Sequence, residues 1–419
     1  MNHTPVTQTR PGYTWTKLGW IPEEWEVVQI KDIAKVTSGG TPDRKITEYW
    51  GGKIPWITTS QVDASLIDSA SEYITEEGLN NSSAKMFPAG TLLMAMYGQG
   101  ITRGKVGILN INATTNQACA AILLDFGRVD TKYIFYELQR RYLYIRNLSN
   151  DGGQKNLSGE LIKGIKIPLP PLPEQRAIAR ILSTWDQAID TQRKLITAHQ
   201  QRKKGLMQEL LTGKRRVMGF EGEWKELKLG AVFERITRKN EGISNNVLTI
   251  SAQHGLINQE KFFNKQVASS ILDNYFLLKR GEFAYNKSYS NGYPMGAIKC
   301  LKNYENGVVT TLYICFRLRQ KTFSINFFEH YFESGRLNKG LTQIAHEGGR
   351  AHGLLNVAPK DFFNLLIKIP DYKEQHAIAT ILQAADREIE LLEAELAALQ
   401  EQKKGLMQKL LMGEVRVGL

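Results

Sequence analysis

The chain has 419 residues, of which 42% are hydrophobic, so it is long enough to form several domains with buried cores. No apolar run approaches the roughly 18 residues of a membrane-spanning helix, and we expect no signal peptide in the polar residues 1–10. The three cysteines form no CxxC pair, which indicates a reducing, cytoplasmic location. A formal net charge of +12 favours a polyanionic partner such as nucleic acid.

The N-terminal part of the chain predicts one globular domain of mixed α/β (α+β) class. Residues 1–15 are polar, and we expect a weakly ordered leader there. Residues 16–173 alternate short β-rich runs with glycine-containing turns, a pattern typical of short strands and hairpins. A helical segment is predicted from Lys132 to Asn147, and a strand from Ile165 to Pro168 closes this domain.

Residues 174–217 are repeated, without a gap, 200 residues later. The pair Glu174-Gln175 returns as Glu374-Gln375, and the six residues from Lys203 to Gln208 return unchanged as Lys403 to Gln408. Two copies are too few for a solenoid, so a duplicated module is the better interpretation.

Both copies repeat apolar residues at alternating spacings of four and three, which is the heptad pattern of a coiled coil. The pattern lasts about five heptads, and a helix of about 38 residues would be roughly 57 Å long. The seam residues are Ile178, Leu182, Ile189, Ile196, Leu206 and Leu210 in the first copy, and Ile378, Leu382, Ile389, Leu396, Leu406 and Leu410 in the second.

The two helical copies carry opposite net charges. Residues 174–217 contain ten Lys and Arg against four Asp and Glu, a net charge of +6, whereas residues 374–419 contain five against eight, a net charge of −3. Opposite charges favour pairing between the copies, so we predict a mutual coiled coil. The alternative is two separate helices, each packed on its own neighbouring domain.

Residues 218–373 repeat the plan of the first globular domain but not its sequence. Gly281 matches Gly90, and a predicted helix from Asn326 to Gly340 is followed by a strand from Ile367 to Pro370. The predicted order is therefore globular domain (16–173), helical region (174–217), globular domain (218–373) and helical region (374–419). Two unlike globular domains on similar helices would suit a protein that reads two different targets at a fixed separation.

Several loops carry residue types that contact nucleic acid, although ordinary solvated loops contain them too. Small donors and backbone amides suit phosphates, Gln and Asn suit adenine, and Arg and Lys suit guanine in the major groove. The candidates are Ser38, Gly39, Thr41, Arg44, Tyr97, Gln99, Thr102, Arg103, Lys105, Gln154, Lys155 and Asn156 in the first domain, and Arg235, Arg238, Tyr285, Asn286, Lys287, Ser288, Tyr289, Asn291 and Arg350 in the second.

No catalytic or metal-binding motif is recognised. The sequence lacks a GxxxxGK[ST] phosphate loop, and it lacks the NPP[YF] and FxGxG motifs of amino-methyltransferases. Glu223 and Lys225 could form half of a nuclease site, but Trp224 is better explained as a core residue that opens the domain. The histidines form no HxxxH pattern.

The stretches PLPPLPEQRAIARIL and KEQHAIATIL, the duplicated KKGLMQ and the opening GWIPEEWEVVQIKDI resemble the specificity subunit of type I restriction-modification systems. The resemblance extends over the chain from about Gly12. It implies two target-recognition domains, each reading half of a bipartite DNA sequence, and two helical regions that form an antiparallel coiled coil, set the spacing and dock other subunits. The second copy departs from the pattern, because Asp371-Tyr372-Lys373 replaces the PPLP run and makes the start of its helix harder to place.

The same resemblance implies a non-catalytic chain that binds double-stranded DNA, without a membrane or a cofactor of its own. Two modification subunits would supply S-adenosylmethionine-dependent adenine methylation, and two restriction subunits would add ATP- and Mg-dependent translocation and cleavage. Two other functions stay open: a stand-alone methyltransferase or nuclease with an unrecognised motif, and a scaffold whose coiled coil joins two protein-binding domains.

Overall fold

The computed structural model describes residues 10–63, 65–98, 101–148, 156–251, 253–263, 272–290, 292–347 and 355–418. The chain divides into two compact units, one formed by residues 1–192 and 395–419 and the other by residues 193–394. Each unit contains one globular domain and part of each of two long helices.

The globular domain of the first unit is built from short strands and helices. The strands are β1 (Tyr13–Thr16), β2 (Gly19–Pro22), β3 (Glu26–Gln29), β4 (Ala34–Ser38), β5 (Trp50–Ile57), β6 (Leu66–Ile67), β7 (Glu72–Ile74), β8 (Leu92–Ala95), β9 (Val106–Leu109), β10 (Thr114–Thr115), β11 (Cys119–Leu124) and β12 (Lys166–Leu169). The helices are α1 (Glu76–Asn80), α2 (Thr131–Arg140), α3 (Tyr142–Asn147) and α4 (Gly159–Lys163), with 3₁₀ turns at Ile30–Asp32, Thr47–Tyr49 and Thr59–Gln61.

A five-stranded sheet in the order β4-β11-β8-β9-β6 forms the centre of this domain. Its strand pairs are antiparallel except for β6 with β9. Because successive side chains of a strand point to opposite faces, Leu92 and Met94 of β8 join the core that contains α2, whereas Leu93 and Ala95 join a separate core on the other face. Burial on both faces explains why β8 is apolar throughout.

The second unit continues the same types of element. Its strands are β13 (Lys225–Lys228), β14 (Phe233–Ile236), β15 (Leu248–Ser251), β16 (Gly255–Asn258), β17 (Phe276–Lys279), β18 (Phe283–Asn286), β19 (Ala297–Cys300), β20 (Asn306–Val309), β21 (Ile314–Leu318), β22 (His346–Glu347), β23 (Leu355–Asn356) and β24 (Leu366–Ile369). The short helices are α6 (Leu229–Val232), α7 (Gln259–Phe263), α8 (Ile325–Glu333), α9 (Asn338–Ile344) and α10 (Pro359–Asn364).

The central sheet of the second unit is antiparallel, in the order β14-β21-β18-β19. Phe283 and Tyr285 of β18 pack into the core that contains α8, and Ala284 joins the core on the other face. Strand β18 therefore plays the same part here as β8 does in the first unit. In both units the strand before the long helix pairs with a strand near the start of the domain, β12 with β3 and β24 with β13.

The two long helices are α5 (Leu172–Leu210, 39 residues) and α11 (Tyr372–Leu411, 40 residues). They begin at equivalent positions although the sequences before them differ. Pro171 precedes α5, whereas the Asp371 side chain accepts a hydrogen bond of 3.0 Å from the Glu374 backbone N–H at the start of α11. A carboxylate cap thus replaces the proline run, which is why the helix start was hard to place from sequence.

The helices pair antiparallel within each unit. In the first unit the Lys403 ammonium lies 2.5 Å from Asp186, and the Gln192 amide donates to Glu395 at 3.0 Å. The partner numbers fall along α11 as they rise along α5, and the same holds in the second unit, where Lys203 pairs with Asp386 and His199 lies 3.1 Å from Glu388. The predicted α/β fold with an antiparallel coiled coil is confirmed.

All twelve predicted seam residues are buried or half-buried. The buried seam residues are Ile178, Leu182, Ile189, Ile196, Leu210, Ile378, Leu382 and Leu410. The half-buried seam residues are Leu206, Ile389, Leu396 and Leu406.

Three local features differ from the sequence-based expectation. Residues 13–15, assigned to the leader, belong to strand β1, which pairs with β2. The single helix expected over Lys132–Asn147 is two helices, α2 and α3, separated at Arg141. The helix expected over Asn326–Gly340 is α8 and α9, divided near Gly335, whose φ of +71° does not fit a helix. None of the described helices is long and apolar enough to cross a membrane.

Candidate nucleic-acid interface

A buried glutamate joins each globular domain to the start of its long helix. In the first unit Glu174, only 2% exposed, accepts a hydrogen bond of 3.0 Å from the Trp25 indole N–H. The Arg416 guanidinium donates to both oxygens of the same carboxylate, at 2.7 and 3.0 Å. One carboxylate therefore holds the opening of the domain, the start of α5 and the segment that follows α11.

The second unit repeats this arrangement, which we call the glutamate clamp. Glu374 is 1% exposed, accepts from the Trp224 indole at 3.2 Å and forms a bidentate pair with Arg216, both bonds being 2.7 Å. Bidentate Arg–carboxylate pairs fix the relative orientation of the groups that they join. Each clamp therefore sets how a globular domain sits on the helix pair of its own unit.

The duplicated glutamines form hydrogen bonds next to the glutamate clamps. The Gln175 side chain accepts from the Asp130 backbone N–H at 2.9 Å and donates to the Pro170 carbonyl at 2.8 Å. The Gln375 side chain accepts from Ser324 N–H at 3.0 Å and donates to the Pro370 carbonyl at 3.0 Å. Asp130 and Ser324 are the N-cap residues of α2 and α8, so the repeated Glu-Gln pair is explained by the same contacts in both units.

A third repeated contact links the helix pair to α2 or α8. The Tyr136 hydroxyl lies 2.6 Å from the Asp186 carboxylate, which Lys403 also contacts. The equivalent position on α8 is His330, whose Nδ1 lies 3.8 Å from Asp386. Burial lowers the pKa of His330 to about 4, although the charge of Asp386 acts in the opposite direction. The imidazole is therefore neutral near pH 7.

The glycine-rich turn after β4 is tightly packed against the rest of the domain. A Cβ on Gly39 would lie 1.8 Å from the Thr115 carbonyl, and the Thr41 hydroxyl donates to Gln117. Arg44 is paired with Glu72 at 2.7 Å and lies 3.8 Å from the centre of the Trp50 ring. Ser38 is half-buried at the end of β4. Gly39, Thr41 and Arg44 therefore have structural contacts that their sequence did not reveal.

In the loop between β8 and β9, residues 101–103 are held against α3. The Arg103 guanidinium donates to the Arg146 carbonyl at 2.8 Å, and the Tyr142 hydroxyl donates to the Ile101 carbonyl at 2.6 Å. Arg103 is therefore a structural residue of the loop. Tyr97 is exposed, and Thr102 and Lys105 are half-buried. Lys105 forms no ion pair with the other described residues.

Tyr285 is a core residue, which corrects its assignment to a DNA-contacting loop. Its side chain is fully buried, stacks on Phe362 and donates to the Met295 carbonyl at 2.7 Å. Gly90 and Gly281, with φ of +89° and +84°, precede β8 and β18, and aligning them places Tyr285 opposite Met94 rather than Tyr97. The shared tyrosine misled the alignment of the two loops.

Three more candidates of the second domain have local structural contacts. Arg238 pairs with Glu282 at 2.7 Å and donates to the Leu277 carbonyl at 3.0 Å. The Asn286 side chain accepts from the Ser288 backbone N–H at 3.1 Å, which closes a turn after β18. These contacts shape the loop that follows β18.

Arg235, Lys287 and Tyr289 are candidates of this domain whose side chains make no ion pair or hydrogen bond with the other described residues. Burial and the nearby charge of Arg235 lower the pKa of Lys287. No acidic side chain among the described residues pairs with either cation. Cations without an acidic partner favour a bound anion such as a DNA phosphate. Tyr289 is 62% exposed on the same loop.

The remaining candidates are Asn156 and five residues that the structure does not describe. Asn156 is described and half-buried. Outside the described residues lie Gln99, Gln154, Lys155, Asn291 and Arg350.

The sequence analysis did not predict the contacts made by the clamp residues and by the residues that anchor the loop. The clamp residues could have been found from the sequence repeat. Arg416 lies 200 residues after Arg216, and Trp224 lies 199 residues after Trp25, close to the offset of the repeat. The loop anchor Tyr142 has no such signal.

The described residues contain no group of three or more His, Cys, Asp or Glu arranged to hold a metal ion. The three cysteines are buried free thiols, and burial raises the pKa of each, that of Cys119 to about 11. These thiols have the character of core residues rather than of nucleophiles.

Residues 22–198 match the family model described as type I restriction modification DNA specificity domain. The MjaVIII specificity subunit of Methanocaldococcus jannaschii, a type I restriction enzyme subunit, is 25% identical over 95% of this chain and 94% of its own length. The chain is similar to the specificity subunits of type I restriction-modification systems, in one domain by the family model and along nearly its whole length by this relative. The resemblance noted in the sequence is confirmed.

Other specificity subunits match one part of the chain. The MjaIX subunit of M. jannaschii is 35% identical over 43% of this chain and 42% of its own length, so that alignment spans less than half of the relative. The EcoR124I/EcoR124II specificity subunit of Escherichia coli is 30% identical over 39% of this chain and 41% of its own length.

Solved structures share the fold. A crystal structure of a type I restriction-modification S subunit from M. genitalium has a TM-score of 0.53 at 17% identity, covering 92% of this chain and 96% of the other. A structure reported for the assembly and conformational transition of a type I restriction-modification system has a TM-score of 0.58 at 13% identity, covering 94% and 99%. At these identities the likeness concerns the fold of specificity subunits.

Proposed function

We propose that this chain is the DNA sequence-recognition subunit of a type I restriction-modification enzyme, in which each globular domain binds one half of a bipartite target. The carrying observation is that one set of contacts is built twice around different loops. The glutamate clamp, the glutamine contacts and the Asp–Lys pairs recur position by position, whereas the β8–β9 and β18–β19 loops differ in sequence and anchoring. A repeated frame with unlike loops supports two different half-sites.

Charge supports an unequal division of the DNA contacts. Residues 218–373 carry 21 Lys and Arg against 14 Asp and Glu, a net charge of +7, and residues 1–173 carry 18 against 16, a net charge of +2. The second domain accordingly contributes more of the attraction to phosphates and more of the salt dependence of binding.

The helix pair sets the spacing between the half-sites. At 1.5 Å per residue, helices of 39 and 40 residues are roughly 60 Å long. This length exceeds one turn of B-DNA, about 34 Å. A pair of this length is sufficient to separate two half-sites by one turn or more.

Other subunits dock on the outward face of the duplicated KKGLMQ run. Within this run Lys203 and Lys403 form ion pairs, and Met207 and Leu406 pack against the cores. Gly205 and Gly405 face open space, with no described atom within 4 Å of an added Cβ. A glycine inside a helix costs about 1 kcal/mol relative to alanine, so its retention in both copies favours close approach of a partner backbone. Two identical surfaces accommodate two copies of one partner.

The chemistry belongs to those partners. This chain binds double-stranded DNA in the cytoplasm, carries no catalytic residue and holds no cofactor of its own. Two modification subunits supply S-adenosylmethionine-dependent methylation of adenine, which requires the base to be flipped out of the duplex. Two restriction subunits supply ATP- and Mg-dependent translocation and cleavage. The alternatives, a stand-alone enzyme or a protein scaffold, find no support among the relatives.

A domain exchange tests this function. Residues 218–373 are replaced by the corresponding domain of another specificity subunit, and methylated sites are mapped in DNA from cells that also contain the modification subunits. We expect one half of the recognised sequence to change and the other half to stay. A change in both halves or in neither, or methylation by the purified chain alone, contradicts the proposal.

A further inference from the structure

In the loop between β18 and β19, backbone hydrogen bonds join Ser290 to Tyr293. The Tyr293 N–H donates to the Ser290 carbonyl at 2.8 Å, and the Ser290 N–H donates back to the Tyr293 carbonyl at 3.3 Å. Gly296 has a φ of +77°, and a Cβ there would lie 2.2 Å from the Asn286 carbonyl. The base of the loop therefore requires glycine, and the backbone hydrogen bonds hold Ser290 and Tyr293 together.

Side chains anchor the same turn to helix α8. The Tyr293 hydroxyl donates to the Glu333 carboxylate, and the Lys299 ammonium donates to the other oxygen of that carboxylate at 2.5 Å. Lys299 also lies 4.8 Å from the centre of the Tyr293 ring. We call these three residues the loop brace. Its members are half-buried or more, so the brace resists competition from water.

The brace leaves one aromatic side chain projecting from the turn. Tyr289 is 62% exposed and makes no ring contact or side-chain hydrogen bond with the described residues. Lys287, two residues earlier, is half-buried and has no acidic partner in the described part of the chain; burial and the charge of Arg235 lower its pKa. An exposed ring on a rigid turn, beside two cations that suit phosphates, has the composition of a base-contacting element.

We propose that Tyr289 reads a base of the half-site bound by the second domain, and that the loop brace is the positioning device that holds it. Tyr289 contacts the base through its ring face or hydroxyl, while Arg235 and Lys287 hold the adjacent phosphates. This inference rests on the proposed function, because it presumes that the second domain binds one half-site. The β8–β9 loop of the first domain is anchored by different residues, Tyr142 and Arg103.

The test uses the chain assembled with its modification subunits and a duplex library in which both half-sites are randomised. Methylation is read by sequencing, which gives the discrimination at every base of both half-sites. Tyr289→Ala is expected to lower discrimination at one or two bases of the second half-site by at least about tenfold, since a good base contact contributes about that much or more. The first half-site stays unchanged.

Tyr293→Phe removes the hydroxyl of the brace and keeps Tyr289. We expect a smaller loss of discrimination, of at least about threefold, at the same bases. Tyr142→Phe is the matched variant in the first domain and is expected to affect only the first half-site. Thermal unfolding of all three complexes identifies a variant that loses its fold.

The outcomes separate the inference from the function. Suppose that the wild-type complex discriminates between bases at both half-sites. If the discrimination of Tyr289→Ala at the second half-site then stays within twofold of wild type, Tyr289 does not read a base. If Tyr293→Phe loses activity equally on all sequences, the brace is structural and does not position the reading residue. If the wild-type complex shows no sequence preference, the proposed function itself fails.

Discussion

At the scale of single residues, Glu174 and Glu374 are the most consequential side chains. A carboxylate that is 1–2% exposed requires compensation for the water it loses, and here an arginine and an indole N–H provide it. Removing the arginine leaves a buried charge with one neutral donor. The resulting loss of stability is expected at the contact between a globular domain and its long helix.

Arg216→Gln tests this contact. Glu374 has no other cationic partner among the described residues, so removing Arg216 leaves its buried carboxylate without a counter-charge. Because Arg216 itself is 28% exposed, water screens part of this interaction, and we expect the free energy of unfolding to fall by about 2–3 kcal/mol. Arg416→Gln is expected to cost less, about 1–2 kcal/mol, because Arg416 is 42% exposed. Urea unfolding of the purified variants measures both.

Arg215→Gln is the control for that measurement. Arg215 is 67% exposed and lies 3.4 Å from Glu209, itself 50% exposed. Exposed pairs contribute little, so we expect a change within about 0.5 kcal/mol. Equal losses for Arg215→Gln and Arg216→Gln would show that burial of Glu374 has no special effect.

At the scale of elements, the heptad period and the duplication made the long helices predictable, whereas charge alone did not reveal which candidate site residues also have structural contacts. The 4-3 spacing identified both helices because burial follows one face. Arg44, Arg103 and Arg238 looked like free cations, but their partners Glu72, Arg146 and Glu282 lie 28 to 44 residues away in sequence. Only the fold brings such partners together, so candidate DNA contacts read from loops include structural residues.

The helix glycines give a prediction at this scale. Gly205→Ala and Gly405→Ala are each expected to raise the free energy of unfolding by about 0.5–1 kcal/mol, because alanine restricts the unfolded chain and meets no neighbour. The double variant should nevertheless bind the modification subunits more weakly. Calorimetry of the chain and titration of the assembly measure the two effects.

Thr197→Ala serves as the control, because Thr197 is exposed on α5 outside the repeated run. It should stabilise the helix slightly and leave assembly unchanged. If the glycine variants assemble as tightly as Thr197→Ala, partners do not dock on this face.

At the scale of the whole molecule, the sequence repeat predicted the architecture because both copies keep the same contacts. The repeat could not predict which loop residues are exposed, because the two globular domains differ in sequence. Tyr285, for example, follows a similar sequence pattern to Tyr97 but occupies the structural position of Met94. The account depends on the helix pair as a spacing element, and the contact between Gln192 and Glu395 marks where it can be lengthened without disturbing either globular domain.

The most direct test inserts one heptad into both helices, at Gln192 and at Glu395, and measures the gap between half-sites in the methylated sequence. Seven residues add about 10.5 Å to each helix, equivalent to about three base pairs. We predict that the preferred gap grows by about three base pairs while both half-site sequences stay the same. An unchanged gap, in a variant that still assembles and methylates DNA, would contradict the account.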